Sequence, residues 1–552
     1  MKKQLIILMA GKATRLAPLS YILRKGLLTI NQKPACFNMV GDLVKNEGID
    51  DVTFVVSPSN ESIVKEFATK SFSEINLHFV VQNNPQGPLH AFQLCKDLIN
   101  GPTLLLLGDT LCDTKLDYTY DWLGYKIIDD NSHSRWCLIK TNAQEDIIEI
   151  LDKPDYTPET NKVLIGIYYF TDPNVLKEML SNRYEKVRGE LQLSSLIEKY
   201  NEKVPMKGIP IDSWYDTGTL KDYNQTLAKN IAGRSFNRFK LDEFGVLTKE
   251  SSYLKLKSEI EWYEKIRELG LGYMIPNYFG SHIKKQNGQE VVSYQLEYVN
   301  GSTLTEYFNY YKISQDNWKY IFQKLLTFAN NLWKNKAPQE FEIEKHCRYI
   351  YVDKTLERIS NWARKDILEK DYIVANGEKL IGFNQIFKLI TPLIENLIKN
   401  SRNYATIIHG DSCFSNIIFF PQTGTFKFID PRGNFGIDTI YGDMRYDIAK
   451  FRHNYHGLYD YITLNLFRLK ELSADDFEYS FFTDEILPPT IFDEILTSCG
   501  WNINIDEIEL IEGLLFISMI SLHNDNPEAQ ILYYIMGLKC LNNQYKKLKG
   551  KV

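Results

Sequence analysis

Residues 4–15, QLIILMAGKATR, run six apolar residues straight into a turn of small residues that closes on a cation. Two lysines precede the run, but six residues are too few for a secretory h-region, and Arg15 follows too soon. A short apolar run bounded by Gly11 reads instead as a first strand buried on both faces. Three more runs of that kind follow: DVTFVVS (51–57), NLHFVVQ (76–82) and TLLLLGD (103–109). The segments between them have helical periodicity. Buried strands separated by helices predict an α/β fold, a Rossmann-like and largely parallel sheet with helices on both faces. Ligands of such sheets gather at the carboxyl ends of the strands. AGKATR, VQNNPQG and LGDT each follow directly on a strand, so the spacing predicts that they meet in one cleft.

At 552 residues the chain is too long for one core. Apolar residues make up 44% and charged residues 24%, an ordinary globular composition. The net charge of −6 argues against nucleic acid as a partner. The eight cysteines are scattered with no metal-ligand spacing, as expected of reduced thiols. No apolar stretch reaches 18 residues, so no membrane span is expected and the location reads as cytoplasmic.

The βα rhythm is lost at 228–240, AKNIAGRSFNRFK. We therefore divide the chain into residues 1–230, a linker at 231–244, and residues 245–552. Within the last part, strand-like GVLTKES (245–251), an amphipathic helix (254–269) and strand-like VVSYQLEYV (291–299) form a small lobe over 245–300. Residues 301–552 form a larger, mostly helical lobe, interrupted mainly at 404–430. The aromatic richness of 311–334 reads as core.

The turn after the first strand offers backbone N–H groups for phosphates, with Arg15 and Lys25 to neutralise them. VVQNNPQGPLHA (80–91) supplies Gln82 and the backbone of Gly87, suited to a base edge. Asp109 ends a strand and Asp216 lies in SWYDTGTL; two carboxylates in one cleft suit Mg²⁺ bridging phosphates.

Together these segments resemble the sugar-phosphate nucleotidyltransferases, above all glucose-1-phosphate thymidylyl- and uridylyltransferases, across nearly all of residues 3–226. The matches run in order through Gly11, Thr14, Arg15, Pro18, Leu19, Lys25, Leu27, Leu28, Lys33 and Pro34, then Gln82, Pro85, Gly87, Ala91, Gly108 and Asp109. LDKP (151–154), IGIYYF (165–170), RGELQLSS (188–195) and WYDTGT (214–219) complete them. The resemblance implies that Arg15 and Lys25 hold the triphosphate and the attacking sugar phosphate, with Gly11 and Thr14 in the same turn. It implies that Gln82 and Gly87 contact a pyrimidine, that Lys153 grips the sugar phosphate, that Gly166 and Glu190 hold sugar hydroxyls, and that Asp109 and Asp216 bind Mg²⁺. The family's second loop glycine is Ala13 here, and its proline before the lysine is Arg24, departures that bear on nucleotide choice.

In IIHGDSCFSNIIFF (407–420), Asp411 is placed to orient or deprotonate an attacking hydroxyl, and Asn416 to hold a metal. Asp430 of FKFIDPRG ends the next strand and would share that Mg²⁺. With YGDMRYDIAKF (441–451), the segment resembles the aminoglycoside phosphotransferase and choline kinase family, specifically across 405–452, which implies a bilobal protein kinase-like α+β domain. Asp447 would then support the loop and His409 would orient it. Lys249 is the candidate for the lysine on the ATP phosphates, with Glu259 as its helical partner; Lys255, Lys257, Glu261 and Glu264 stay open. Glu297 and Tyr298 resemble the hinge that receives adenine. Arg432 has no role in this reading.

One half thus resembles a maker of phosphate esters and the other a consumer. The expected partners are ATP, a pyrimidine NTP and a small sugar, phosphorylated at its anomeric hydroxyl and then converted to an NDP-sugar. One alternative is a choline or ethanolamine kinase joined to a cytidylyltransferase; another is that one half is inactive and regulatory. Homo-oligomerisation is left open.

Overall fold

The computed structural model describes residues 3–11, 27–30, 33–112, 116–128, 133–211, 213–217, 226, 238–242, 244–286, 289–437, 439–483 and 488–550. The chain divides into two compact units, one of residues 1–230 with 310–312, the other of the remainder.

In the first unit, β1 (Gln4–Leu8) lies at the centre of a nine-stranded sheet. It is followed by α1 (Ala35–Glu47), β2 (Asp51–Val56), α2 (Glu61–Ser71), β3 (Asn76–Val81), α3 (Pro88–Gln93) and β4 (Thr103–Leu107). β1 pairs in parallel with β2 and β4, and β3 extends β2. The alternation of side chains sets two cores. Ile6, Leu8, Val55 and Leu105 point to the face covered by Leu89, Phe92, Leu176 and Leu196. Phe54 points to the other, where it stacks on Phe37 of α1 at 5.6 Å between ring centres. Both faces are dry over β1, β2 and β4, which is why these strands read as continuous apolar runs; β3, at the sheet edge, is only half-buried, a correction to the buried strand expected at 76–82.

Beyond β4 the sheet turns antiparallel, a correction to the largely parallel sheet that the first four runs suggest. β5 (Thr110–Cys112) leaves it; β6 (Trp122–Ile127), β7 (Cys137–Thr141), β8 (Ile147–Asp152) and β9 (Lys162–Phe170) build its second half. The order along the main path is β8-β7-β9-β4-β1-β2-β3, with β6 paired to β9. Then come α4 (Pro173–Ser181), α5 (Leu193–Lys203), β10 (Lys207–Pro210) beside β6, and β11 (Trp214–Asp216). Antiparallel strands need no helical crossover, so this half lacks the strand–helix rhythm that betrays a parallel sheet.

The second unit opens with a four-stranded antiparallel sheet of β12 (Arg238–Leu241), β13 (Val246–Ser252), β14 (Tyr278–Gln286) and β15 (Gln289–Glu297), in the order β12-β13-β15-β14. Between β13 and β14 runs α6 (Tyr253–Glu268), which buries Trp262, Tyr263 and Ile266. The rest is mainly helical, but residues 372–381 and 467–481 form a further four-stranded sheet. This sheet joins the main interruption expected at 404–430: its hairpins are short and pair across about a hundred residues, as Val374 does with Asp476. Near 404–430 two ribbons bracket a loop: Ala405–Ile407 with Tyr441–Asp443, and Ile417–Phe420 with Thr425–Phe428. Among the described residues no helix is long and apolar enough to cross a membrane.

Candidate functional site

Thr14, Arg15 and Lys25 lie outside the described residues; Gly11 is the exposed residue beyond the end of β1. The strand ends around it are locked in step. Met9 N–H donates to Val55 O (2.8 Å), Gly108 N–H to Leu8 O (3.1 Å) and Gln82 N–H to Val56 O (2.8 Å). Gln82 is buried, and its amide nitrogen meets Gly87 O (3.3 Å) and His90 Nδ1 (2.9 Å). With its Nε2 engaged, Gln82 can offer Oε1 as an acceptor; the sequence reading passed over His90, which fixes that orientation.

Gly87 has φ of +119°, and a Cβ there would stand 2.5 Å from the carbonyl oxygen of Leu191. The reason is a pair of backbone bonds on either side: Leu191 N–H to Gln86 O (2.7 Å) and Leu89 N–H to Leu191 O (3.0 Å). The 82–87 loop is therefore sewn to the segment that carries Glu190. Val187 and Glu190 exchange both backbone bonds, and Arg188 at the tip donates to the carbonyl of Lys153 (2.7 Å). Lys153 has φ of +51°, which costs a non-glycine residue about 1–2 kcal/mol. Its N–H is held by Trp136 O (2.9 Å), and Trp136 packs edge-on against Trp214 at 5.4 Å.

Trp214 opens β11, which pairs with β5 so that Asp216 faces Thr110. Thr217 continues the pairing, its N–H and Oγ1 donating to Asp109 O (3.2 and 2.9 Å). Asp109 and Asp216 thus sit one register apart on a single ribbon. Gly166 lies at an irregularity in β9, with φ of +86°, and a Cβ there would come within 2.7 Å of Thr110 Oγ1. A continuous chain of contacts therefore joins Gln82, Gly87, Glu190, Lys153, Asp216, Asp109 and Gly166. Asp109 and Asp216 bring hard carboxylate oxygens, the kind of donor that Mg²⁺ takes.

In the second unit the loop 408–416 is organised by Asp447, buried on α7 (Met444–Tyr455), a helix with every residue buried. Asp447 Oδ2 accepts from His409 N–H (2.8 Å) and Trp333 Nε1–H (3.3 Å); Oδ1 accepts from Gly410 N–H (2.9 Å) and Ser412 Oγ–H (3.1 Å). One turn further on, Lys450 pairs with Asp411 at 3.0 Å. Burial pushes the Asp411 carboxyl up, but Lys450 and Arg432 more than reverse this and hold it well below the usual carboxylate range. So weak a base is suited to orienting a hydroxyl. His409 is buried between Trp262 and Phe428, with Nε2 against Ile429 O (3.0 Å), and burial lowers its pKa.

Asn416 Nδ2 donates to Asp411 O (2.8 Å) and Oδ2 (3.3 Å), which leaves its Oδ1 for a cation. Asp430 has φ of +51° and meets Lys249 at 3.1 Å. Lys249 also pairs with Glu259 (2.7 Å), whose Oε2 accepts from Tyr294 (2.7 Å). Burial raises Glu259, whereas Asp430 and Glu259 raise Lys249 against the effect of its own burial. Of the residues left open, Lys257 meets Glu261 (3.8 Å) and Glu264 accepts from Tyr278 (3.1 Å). Glu297 Oε2 accepts from Asn277 N–H (3.2 Å), and Tyr298 N–H donates to Gly245 O (2.7 Å).

The sequence reading missed Lys450 and gave Arg432 no task. Lys450 had a signal: it lies three residues past Asp447, on the same helical face. Arg432 had none, because its partner Tyr446 (Nη1 to OH, 3.0 Å) is met only in the folded unit.

Residues 4–232 match the nucleotidyl transferase family model. Over 233 residues the chain is 28% identical to the bifunctional protein GlmU of Methanococcus aeolicus, covering 41% of this chain and 54% of that one. It is 27% identical over 236 residues to the UTP–glucose-1-phosphate uridylyltransferase AglF of Haloferax volcanii, covering 40% and 94%. A UDP-glucose pyrophosphorylase solved with UDP-glucose is 20% identical, with a TM-score of 0.36, over 41% of this chain and 97% of that one. The chain spans about half the length of the GlmU proteins it matches. The family model covers nearly the whole of the first unit, whose sequence resembles nucleotidyl transferases.

Proposed function

We propose that the protein activates a small alcohol in two steps. The second unit phosphorylates the alcohol with ATP, and the first joins the resulting phosphate to a nucleotide. The observation that carries the first step is the grouping of Lys249, Glu259, Asp430, Asn416 and Asp411 in one unit, with Asp411 ionised. In this reading Lys249 binds the ATP phosphates, and Asp430 and Asn416 Oδ1 hold Mg²⁺, which neutralises phosphate charge when bound. Asp411 orients the acceptor hydroxyl. Its oxygen bonds to the γ-phosphorus while the bond from that phosphorus to the β,γ-bridging oxygen breaks. ADP leaves, and the hydroxyl proton is released to solvent.

In the second step an oxygen of the new phosphate attacks the α-phosphorus of an NTP. The α,β bridge breaks and pyrophosphate leaves. Arg15 and Lys25 would neutralise the triphosphate, and Gly11 and Thr14 would bind the nucleotide. Lys153 would hold the acceptor phosphate, Glu190 and Gly166 its hydroxyls, and Asp109 and Asp216 Mg²⁺. Gln82 Oε1 complements the N3–H of a uracil or thymine, so UTP or dTTP is the expected donor. Sugar acceptors are favoured because the relatives include a glucose-1-phosphate uridylyltransferase.

The test is a pair of release assays on the purified chain with Mg²⁺. Alcohols are offered with ATP and ADP is followed; each product, and separately supplied sugar 1-phosphates, are then offered with NTPs and pyrophosphate is followed. One alcohol giving both signals supports the proposal, and pyrophosphate release with no ADP from any alcohol refutes the first step. Asp411→Asn should abolish ADP release and spare pyrophosphate release, and Asp109→Asn should do the converse.

A further inference from the structure

Asp411 stands at one end of a row of cations that the phosphoryl step by itself does not require. Lys450 contacts it, and Arg432 bonds to Tyr446 nearby. Tyr446 also lines a small pocket with Lys354 and Arg358, closed on its apolar side by Leu514 and Leu515. Arg358 donates to the carbonyl of Ser518 (3.1 Å), whereas Lys354 has no hydrogen bond or ion pair among the described residues. Burial, Arg432, Arg358 and Lys450 together push the Lys354 ammonium down to about 7, against a smaller opposing effect of Glu357. Burial and Arg432 likewise lower Arg358.

The local backbone is built to this end. A π-helical turn at Tyr349–Asp353 interrupts the helical path and leads directly into the helix Lys354–Ser360. π-turns recur at functional sites. This one sets Lys354 and Arg358 four apart on one face, a like-charge spacing that weakens a helix. Half-buried cations with no carboxylate in ion-pair contact among the described residues cost free energy unless an anion arrives.

We propose that this cluster of cations binds an anionic group of the acceptor, a carboxylate or a phosphate, so that the second unit phosphorylates the hydroxyl of an acidic alcohol. Lys354 and Arg358 hold the anion, and Asp411 holds the hydroxyl at the other end of the same molecule. The inference rests on the kinase reading of this unit. A sugar acid satisfies both it and the sugar-type first unit; an amino alcohol such as choline is repelled by the same charges.

The experiment follows ADP release by the full chain with Mg²⁺ and ATP. The acidic alcohols are glycerate, gluconate and glycerol 3-phosphate; glycerol and glucose are their neutral counterparts, and choline and ethanolamine the cationic ones. An acidic alcohol should be preferred over its neutral counterpart. Lys354→Met and Arg358→Gln should each raise the KM for it roughly 10- to 100-fold, the loss of one charge-assisted hydrogen bond, and leave the KM for ATP unchanged. Thermal denaturation gives a second readout: without ATP, the preferred acidic alcohol should stabilise the wild type and not Lys354→Met. Preference for a neutral or cationic alcohol, or equal stabilisation of both proteins, overturns the inference and leaves the kinase reading standing. No ADP from any alcohol ends both.

Discussion

Replacing Asp447 with asparagine changes one oxygen to an NH₂ group at the point where four donors converge. If the new nitrogen takes the Oδ2 place, it confronts His409 N–H and Trp333 Nε1–H, neither of which can turn around. If it takes the Oδ1 place, it confronts Gly410 N–H, while the Ser412 hydroxyl can rotate to accept. The second arrangement is the cheaper. It leaves one buried backbone N–H unpaired, at about 1–3 kcal/mol, and the remaining bonds lose their charge assistance at up to about 1 kcal/mol each. The expected loss is about 3–5 kcal/mol, confined to the second unit. The assay is urea unfolding of the full chain. With a slope of about 3 kcal/mol per molar, the midpoint of the transition that carries the Trp333 signal should fall by roughly 1–1.7 M. Pyrophosphate release by the first unit should be unchanged. A midpoint that moves by less than about 0.3 M would refute the claim that Asp447 organises the loop.

Three other outcomes test separate parts of the molecule. Gly87→Ala forces a Cβ against the Leu191 carbonyl at a positive φ, so the 82–87 loop must part from Glu190; the KM for the NTP should rise at least about tenfold in the pyrophosphate assay. Burial would raise the Glu512 carboxyl, but Arg452 and His456 hold it at about 2, below its ordinary 4.5. Its folded pKa is the lower, so its stabilising contribution is complete above about 4.5 and is lost as the pH falls towards 2. Glu512→Gln should lower stability at neutral pH and flatten the acid limb of unfolding over that window, followed by circular dichroism. Trp214→Phe should preserve the fold and raise the KM for the phosphorylated acceptor several-fold, since Trp214 supports Trp136 and hence Lys153; an unchanged KM would remove the Trp pair from the site.

The parts legible in the chain are those whose physics is local. Strands β1, β2 and β4 are buried on both faces, so LIILMA and LLLL declare themselves without a partner, whereas the edge strand β3 is only half-buried. The same holds for the tight turns that end them, because only small residues allow strand ends to approach as Gly108 approaches Leu8. The 407–420 loop was legible because its Asp411 and Asn416 lie within one turn and touch.

What stayed hidden depends on contacts between distant segments. Nothing near Gly87 in the chain says that Leu191 will lie against it, and nothing near Asp109 says that Thr217 will bond its carbonyl. The antiparallel half of the first sheet and the 372–381/467–481 sheet were missed for the same reason. Lys354 and Arg358 read as ordinary surface cations of a helix until Arg432 and Lys450 are brought beside them. The sequence by itself determined the break in rhythm near residue 230 and the buried parallel strands, because burial periodicity and turn stereochemistry act over a few neighbours. The tertiary structure alone decided which charges face one another, because electrostatic environment is set by distance in space.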